Sequence, residues 1–373
     1  MRINPNLATP YYLIDEKRLK KNLEIIQDIQ KRSGAKILLA QKAFSSFYFY
    51  PLLSQYLDGT ASSGLYEARL AKEHFGKEVH VFAPAYKEAD FAEILKYADH
   101  IVFNSNTQLA KYKDQALKAH KTIGIRINPE KSTQSHAMYD PCSPTSRMGI
   151  KIADIDESLL PYISGFHFHT LCQQNADALE ETVKAVEAKF GKYLSKLKWL
   201  NFGGGHHLTR NDYDREKLIQ IIQRLKKTYG LEIYLEPGEG IVLNAGYLVA
   251  SIIDIVENDM PIALLDASAT CHMPDVLEMP FTPPVLQAVK NGPYHYRLAG
   301  NTCLSGDNIG EYDFPTQLKV GDKIVFEDMA LYTIVKTNTF NGMPLPSIYA
   351  RKENGEDVLV KAFGYEDFKE RLS

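Results

Sequence analysis

The chain has 373 residues, of which 45% are hydrophobic and 24% charged, and its formal net charge is -3 at pH 7. That length and composition predict a globular protein with one large core or two ordinary ones, and the nearly balanced charge argues against a nucleic acid partner. Because no signal peptide and no apolar run of about 20 residues is evident, we expect a cytoplasmic protein without a membrane partner.

Short apolar segments alternate with helical patterns over the first 245 residues. The predicted strands are "KILLAQK" (36–42), "LDGTAS" (57–62), "VHVFAPA" (79–85), "HIVFNS" (100–105), "TIGIRIN" (122–128), "GFHFHT" (165–170), "LNFGGG" (200–205) and "EIYLEPG" (232–238). The clearest helix covers 176–198, where apolar residues recur at every third or fourth position. This alternation is typical of a parallel (β/α)8 TIM-type barrel, although a doubly wound open sheet gives a similar pattern. We predict the barrel, over residues 22–245.

Beyond residue 245 the pattern changes to one strand after another. The segments "GYLVASIIDIVEN", "PIALLDASA", "YHYRLAG", "DKIVFEDMALYTIVK" and "PSIYARKENGEDVLV" are separated by turn-rich stretches, and "ENGED" is typical of a hairpin. We therefore predict a C-terminal all-β, Greek-key-like domain of residues 246–373, which also takes the N-terminal strand within residues 1–21. The cysteines Cys142, Cys172, Cys271 and Cys303 show no C-x-x-C spacing, so neither a metal site nor a disulfide framework is predicted.

Several unusual residues lie where predicted barrel strands end, which is where the active sites of such barrels are built. Lys42 ends the first predicted strand, His169 the sixth, Gly203 to Gly205 the seventh and Glu236 the eighth. Alone, each has an ordinary explanation: an ion-paired lysine, a core histidine, a tight turn. His167 and His169 alternate onto the same face, so one of them could be structural, and we take His169, nearer the strand end, as functional.

Together these residue types point to pyridoxal 5'-phosphate. A lysine can bind the aldehyde of this cofactor as a Schiff base, and the backbone N–H groups of a glycine-rich loop can bind its phosphate. The histidine can stack on its ring, and the carboxylate can pair with the ring nitrogen. The buried carboxylate Glu236 needs such a cation or proton donor, because burying it alone is costly.

The order of the motifs resembles the pyridoxal-phosphate decarboxylases of the alanine-racemase fold. The motifs run from "TPYYLID" through "KAF", "FHFHT", "GGG" and "EPG" to "ALYTIVKTNTFNG". Within that family, "YDPCSPTSRMGI", "WLNFGGGHHLT", "YLEPGEG", "HMPD", "GNTCLSGD" and "TFNGMPLP" resemble the branch that decarboxylates carboxynorspermidine or carboxyspermidine in polyamine biosynthesis. The resemblance covers nearly the whole chain.

The resemblance implies a role for each motif residue. It implies that Lys42 is the Schiff-base lysine, that His169 stacks on the ring and that Cys303 protonates the substrate carbon. It implies a homodimer in which Cys303 completes the active site of the other subunit. The remaining cofactor contacts implied are Gly203, Gly204, Gly205, Glu236, Gly238 and Tyr332, and the substrate contacts expected are Glu239, Asp275, Asp307 and Phe340.

Three departures from the better-known members of the family bear on phosphate binding, in the first two cases, and on the substrate, in the third. Glu239 stands where their phosphate-binding arginine follows E-P-G, "TLCQQ" replaces a short Gly/Ser loop, and Cys303 is followed by Leu304 rather than by aspartate. The acidic residues of the β domain could bind a long dication, although Glu311 could equally be a solvated loop charge. Another decarboxylase of this fold, of the diaminopimelate or ornithine type, a racemase, and a non-catalytic cofactor-binding protein remain alternatives.

Overall fold

The computed structural model describes residues 3–134 and 140–373. The chain divides into two compact units, one of Asn22–Ile241 and one of the residues up to Lys21 together with Val242–Ser373. The sequence-based boundary at 245/246 falls slightly later than this division. Tyr139, the first residue of the motif "YDPCSPTSRMGI", lies outside the described residues.

The first unit is a closed parallel barrel. The chain enters it through β1 (Tyr11–Asp15) and α1 (Glu16–Ser33). The barrel strands are β2 (Lys36–Ala40), β3 (Gly59–Ser62), β4 (Glu78–Phe82), β5 (His100–Phe103), β6 (Thr122–Arg126), β7 (Gly165–His167), β8 (Trp199–Asn201) and β9 (Glu232–Leu235). Because β9 pairs in parallel with β2, the sheet closes on itself, which confirms the predicted barrel and excludes the open sheet.

Helices follow most of the barrel strands and cover the outside of the sheet. They are α2 (Tyr50–Leu53), α3 (Leu65–His74), α4 (Glu88–Tyr97), α5 (Asn106–Lys118), α6 (Ala176–Leu194), α7 (Arg215–Tyr229) and α8 (Glu239–Val242), with 3-10 turns at Phe47–Phe49, Ile152–Asp154 and Glu157–Tyr162. In α6 the apolar residues of the predicted stripe are buried, and Asn175 caps the first turn by accepting a hydrogen bond from the Ala176 N–H. The helix ends at Leu194, four residues before the predicted end.

The second unit is built around one mixed sheet. Its further strands are β10 (Gly246–Glu257), β11 (Pro261–Leu265), β12 (Tyr294–Ala299), β13 (Asn308–Phe314), β14 (Lys323–Glu327), β15 (Ser347–Arg351) and β16 (Asp357–Lys361). The strand order is β13-β12-β11-β10-β1-β15-β16, with β14 also on β10, so the N-terminal strand does join this sheet as predicted. The pairs β1/β15 and β11/β12 are parallel.

The second unit is less purely β than the sequence predicted. It contains the short helices α9 (Ala269–His272), α10 (Asp275–Glu278) and α11 (Tyr365–Lys369), and 3-10 turns at Ile334–Lys336 and Phe340–Gly342. The segment predicted as one strand from "DKIVFEDMALYTIVK" is a strand only over β14. Strand β13 was not predicted. Among the helices of the described residues, none has the length and apolar character needed to cross a bilayer.

Candidate active site

A cavity of about 250 Å³ lies where the barrel strands end. Three of the sequence-predicted residues, Lys42, His169 and Glu236, line it together, as do Arg126 and His167. Parallel strands bring their carboxyl ends to one rim, which is why residues nearly 200 positions apart in sequence meet here. The barrel therefore brings the lysine, the histidine and the carboxylate to one rim, as predicted.

Lys42 presents a reactive amine to the cavity. It lies in the turn after β2, and its side chain is accessible within the cavity although protein atoms surround it. Burial by these atoms lowers the pKa of the amine below its ordinary value, and the positive charge of Arg126 lowers it further, while the carboxylates of Glu236 and Glu67 act in the opposite direction. A lysine amine with a lowered pKa is a better nucleophile near neutral pH.

Gln41, the residue before Lys42, holds the turn after β2 in place. Gln41 is fully buried and donates from Nε2 to Ser62 Oγ (2.8 Å) and to the Glu67 carbonyl oxygen (2.9 Å). The Tyr50 hydroxyl donates to Gln41 Oε1 (2.7 Å). A fully bonded side chain directly before Lys42 restricts where the lysine can point.

Glu236 is an ionised carboxylate in a buried setting. Asn201 Nδ2 donates to its Oε1 (2.7 Å), and His167 Nε2 donates to its Oε2 (3.2 Å). Burial alone would raise the pKa of Glu236, but His167, the charge of His80 and the hydrogen bond from Asn201 lower it to about 2. The carboxylate therefore stays negative at neutral pH and can hold a protonated nitrogen of a ligand.

The glycine loop packs against His169, although Gly203, Gly204 and Gly205 are not among the residues that line the cavity. The Gly204 N–H donates to His169 Nδ1 (3.2 Å), so the ring proton lies on Nε2. Burial and the positive charges of Lys42 and Arg126 hold the pKa of His169 well below its ordinary value, which keeps the ring neutral. A Cβ on Gly204 would lie 2.6 Å from the Glu236 carbonyl oxygen and 3.1 Å from His169 Cε1, and Gly203 has φ +67°, so this close packing requires glycine.

The loop is less open to a ligand than the sequence implied. The N–H of Gly203 donates to Asn201 Oδ1 (2.8 Å), and that of Gly204 is taken by His169. At Gly205, where φ is +83°, a Cβ would lie 2.0 Å from the Leu171 carbonyl oxygen. At least two of the three N–H groups that were expected to face an anion thus already have protein partners.

The sequence reasoning missed Arg126 as a residue of this site and took His169 rather than His167 as functional. Arg126 is 6% exposed, its Nη2 donates to the His169 carbonyl oxygen (3.0 Å), and its guanidinium lies 4.7 Å from the centre of the Phe82 ring. The sequence does mark Arg126, because Arg126, like Lys42, is a cation in a predicted strand that is largely apolar. His167 had been set aside in favour of His169, yet both rings line the cavity.

Two further predicted residues of this unit have protein partners of their own. A Cβ on Gly238 would lie 2.4 Å from Ala43 Cβ, so its close packing supports the turn that carries Lys42. Glu239 accepts hydrogen bonds from Gln173 Nε2 (2.9 Å) and His207 Nε2 (3.0 Å), and it is not among the residues that line the cavity.

The β unit brings a second set of predicted residues together. Cys303 is exposed, and its N–H donates to Oδ1 of Asn341 (2.7 Å), the residue after Phe340. The Phe340 carbonyl oxygen accepts a hydrogen bond from Cys271 Sγ (3.7 Å). The motifs "GNTCLSGD" and "TFNGMPLP", separated in sequence, are thus adjacent in space.

The acidic residues of this unit differ in their partners. Asp275 forms an ion pair with Lys336 (2.5 Å). Asp307 is 3% exposed and accepts hydrogen bonds from neutral donors only among the described contacts. Glu311 is exposed and pairs with Arg297 (2.6 Å), which favours the solvated-charge interpretation. Tyr332 lies between β14 and the turn Ile334–Lys336, half-buried and with φ +48°.

A further group of possible metal ligands has a structural explanation. Glu78, His80 and His100 offer ligand atoms within 4.8 Å of one another. Lys36 Nζ already supplies a cation to Glu78 (2.7 Å), and the two imidazole rings are stacked 3.9 Å apart and nearly parallel, so one ion cannot lie in both ring planes. Lys36 is therefore an ion-paired lysine, which is the ordinary explanation that the sequence also allows for Lys42.

The cavity fits pyridoxal phosphate in the chemistry of its groups. It offers one nucleophilic amine, one carboxylate that is ionised at neutral pH and one neutral aromatic ring, and the glycine loop packs closely against that ring. Lys42, Glu236, His169 and the glycine loop would hold the aldehyde, the ring nitrogen, the ring face and the phosphate respectively. Arg126 adds a buried positive charge on the same wall as His169.

Comparisons with known proteins agree with this chemistry. The family model described as pyridoxal-dependent decarboxylase, C-terminal sheet domain, matches residues 12–330. A carboxynorspermidine/carboxyspermidine decarboxylase of Campylobacter jejuni is 43% identical over 98% of this chain and 98% of its own. A carboxyaminopropylagmatine decarboxylase of Synechocystis is 41% identical over 99% of this chain and 97% of its own.

Solved structures give the same result. The crystal structure of carboxynorspermidine decarboxylase from Campylobacter jejuni, complexed with norspermidine, matches with a TM-score of 0.92 at 43% identity and covers 98% of this chain and 100% of that chain. A diaminopimelate decarboxylase from Helicobacter pylori, complexed with L-lysine, matches with a TM-score of 0.85 at 18% identity, over 98% of both chains. The second likeness shows the shared fold.

Proposed function

The chain belongs to the pyridoxal-dependent decarboxylases, and from this premise we propose that it binds pyridoxal 5'-phosphate and decarboxylates carboxynorspermidine or carboxyspermidine to norspermidine or spermidine. The observation that carries the proposal is the cavity in which the Lys42 amine, the His169 ring and the ionised Glu236 carboxylate meet. The names of the two relatives above 40% identity, each a decarboxylase of a carboxylated polyamine, support the substrate class. The cytoplasmic location remains a prediction from the sequence.

Each residue of the cavity has its own proposed role. When bound, the cofactor supplies an aldehyde for covalent attachment and a ring that accepts the electrons of the breaking carbon–carbon bond. Lys42 would hold the aldehyde of the cofactor through its amine. Glu236, negative at neutral pH, would favour a proton on the ring nitrogen, and the neutral ring of His169 would pack against the cofactor ring. Tyr332 and the glycine loop are the proposed phosphate contacts.

We infer that the substrate carbon receives its proton from Cys303 of a second copy of the chain. The loss of carbon dioxide leaves Cα one bond short, so Cα must take up a proton, and a thiol can supply it. Large apolar side chains are exposed on both units, Phe47 and Tyr66 on the barrel and Leu304 and Phe340 on the β unit, which is consistent with self-association. A homodimer with shared active sites is therefore part of the proposal.

For the substrate we propose contacts from Glu239 and Phe340, whereas Asp275, which was also expected from the sequence, already has Lys336 as its ion-pair partner. Glu239 is half-buried, and its described partners, Gln173 and His207, include no lysine or arginine, so its negative charge is available to a distal ammonium group. The exposed ring of Phe340 can pack along methylene groups. A site built to pair distal ammonium groups should reject analogues that lack them by factors on the order of 10⁴.

The experiment compares substrates under one condition. Carbon dioxide release is measured as kcat/KM for carboxynorspermidine, carboxyspermidine, carboxyaminopropylagmatine, ornithine and L,L- or meso-diaminopimelate. We expect one of the two carboxytriamines to have the highest value, and diaminopimelate to fail because its distal carboxylate would face acidic residues.

Each other outcome corrects a different part of the proposal. Preference for carboxyaminopropylagmatine would change the polyamine, and preference for ornithine or diaminopimelate would overturn the branch while leaving the reaction type. Racemisation without carbon dioxide release would overturn the reaction. A protein that binds the cofactor but turns over none of these compounds would be a non-catalytic binder.

A further inference from the structure

The loop that carries Cys303 connects β12 to β13 and is closed by its own backbone. The Gly300 N–H donates to the Asp307 carbonyl oxygen (2.9 Å), and the Asp307 N–H donates to the Leu304 carbonyl oxygen (2.9 Å). Cys303 lies on the exposed part of this loop. An exposed side chain on a loop can deliver a proton reproducibly only if the loop is held in place.

Asn341 holds the loop at Cys303 itself. Its Oδ1 accepts the hydrogen bond from the Cys303 N–H (2.7 Å). Asn341 has φ +55° and ψ +18°, a left-handed conformation that asparagine adopts more readily than most residues. Its own segment is fixed in turn, because the Phe340 N–H donates to Asn338 Oδ1 (3.0 Å) and Asn338 Nδ2 donates to the Thr270 carbonyl oxygen (2.8 Å).

Asp307 holds the same loop from its buried side. Its Oδ2 accepts from the hydroxyl of Thr302, the residue before Cys303 (2.6 Å), and its Oδ1 accepts from the Thr270 N–H (3.2 Å). A Cβ on Gly300 would lie 2.2 Å from Asp307 Oδ2, so the glycine makes room for the carboxylate. Both oxygens of Asp307 are thus directed into the loop and towards the segment that also anchors Asn341.

We propose that Asn341 and Asp307 are positioning residues that hold Cys303 from two sides, so that its thiol meets the substrate carbon. The inference rests on the proposed role of Cys303 as proton donor, and it replaces the sequence-based expectation that Asp307 contacts the distal amine of the substrate. Thr302 is the link through which Asp307 acts.

The first test separates the acceptor of Asn341 from its backbone conformation. Asn341→Gly keeps the left-handed conformation accessible and removes the acceptor, whereas Asn341→Asp keeps both. Hydrogen exchange measured by mass spectrometry should show faster exchange of the Cys303 amide in Asn341→Gly, on the order of tenfold, and little change in Asn341→Asp. Equal exchange in wild type and Asn341→Gly would overturn the role of Asn341.

The second test separates positioning from substrate binding at Asp307. Thr302→Val removes the hydroxyl and leaves the Asp307 carboxylate, whereas Thr302→Ser retains the hydroxyl. Positioning predicts that Thr302→Val lowers kcat by about 10- to 100-fold with KM unchanged, that Asp307→Asn does the same, and that Thr302→Ser restores most of kcat. A normal kcat in Thr302→Val together with a raised KM in Asp307→Asn would assign Asp307 to the substrate instead.

Different results would overturn the proposed function and the positioning of Cys303. If the wild-type protein releases no carbon dioxide from any substrate of the panel, the proposed function is wrong, and the exchange experiment still decides whether Asn341 holds Cys303. If the wild-type protein is active and the three disruptive variants, Asn341→Gly, Thr302→Val and Asp307→Asn, match it in both exchange and kcat, the inference is wrong and the proposed function stands.

Discussion

The charge of Glu236 is the single-residue property on which the proposed chemistry depends most. Glu236→Gln preserves the size of the side chain and an acceptor for Asn201 but removes the negative charge. We expect kcat to fall by about 10²–10³-fold, a range measured when one preorganised electrostatic contact is removed, with the cofactor still bound. Carbon dioxide release and the absorbance of the bound cofactor measure the two effects, and an unchanged kcat would remove Glu236 from the chemistry.

The same residue predicts a pH dependence of stability. Its pKa in the folded protein, about 2, lies below the ordinary value of a glutamate, so its ionisation stabilises the fold above that ordinary value. This contribution is lost as the pH falls towards 2. Urea unfolding of the wild type and of Glu236→Gln should therefore show a difference in unfolding free energy that is larger at pH 7 than at pH 3.

Single residues were predictable from the sequence where their type conflicted with their setting. Lys42, His169 and Glu236 stood out as polar residues at the ends of apolar strands, and the structure places all three in one cavity. Arg126 carried the same signal and was overlooked. The partners of Glu239 and Asp307 could not be predicted, because hydrogen bonds between loops depend on positions that only the folded backbone defines.

At the scale of elements, the paired strands β7 and β8 are tightly packed at one side chain. A Cβ on Gly165 would lie 2.0 Å from Trp199 Cδ2, so Trp199 lies directly against the backbone of the neighbouring strand. Gly165→Ala should lower the free energy of unfolding by about 2 kcal/mol or more, since the core cannot accommodate the added methyl group. The protein has one tryptophan, so the fluorescence of Trp199 follows the unfolding directly.

Gly191→Ala is the matched control for this prediction. Gly191 lies within α6, and a Cβ there would meet no atom within 4 Å. Because alanine is favoured over glycine inside a helix, this variant should be as stable as the wild type or more stable. Equal effects of the two substitutions would mean that packing against Trp199 does not limit the barrel.

The elements themselves were more predictable than their ends. Each of the eight apolar segments predicted for the barrel contains or overlaps one of its strands. Strand ends were extended too far because residue type does not indicate where pairing stops, as at "GFHFHT", where the strand ends at His167. Strand β13 was missed because its buried residues Ile309 and Tyr312 are three positions apart, which breaks the alternation that predicts a strand.

At the scale of the whole molecule, the proposed homodimer makes a prediction about mixtures. Lys42→Ala and Cys303→Ala should each be inactive alone. If Cys303 serves the site of the other subunit, mixing the two proteins should restore about a quarter of wild-type activity, because half of the dimers are mixed and each contains one intact site. Subunit exchange is verified with differently tagged chains, and a mixture that exchanges but stays inactive would show that the site is not shared.

The proposed chemistry depends above all on the attachment of the cofactor to Lys42, and chemical labelling tests this attachment. The protein is purified with pyridoxal phosphate, reduced with borohydride to fix the bond between amine and cofactor, digested and mapped by mass spectrometry. If Lys42 holds the cofactor, reduction abolishes the cofactor's visible absorbance and the label lies on the peptide that contains Lys42. A label on the ion-paired Lys36, or no labelled lysine, would contradict it.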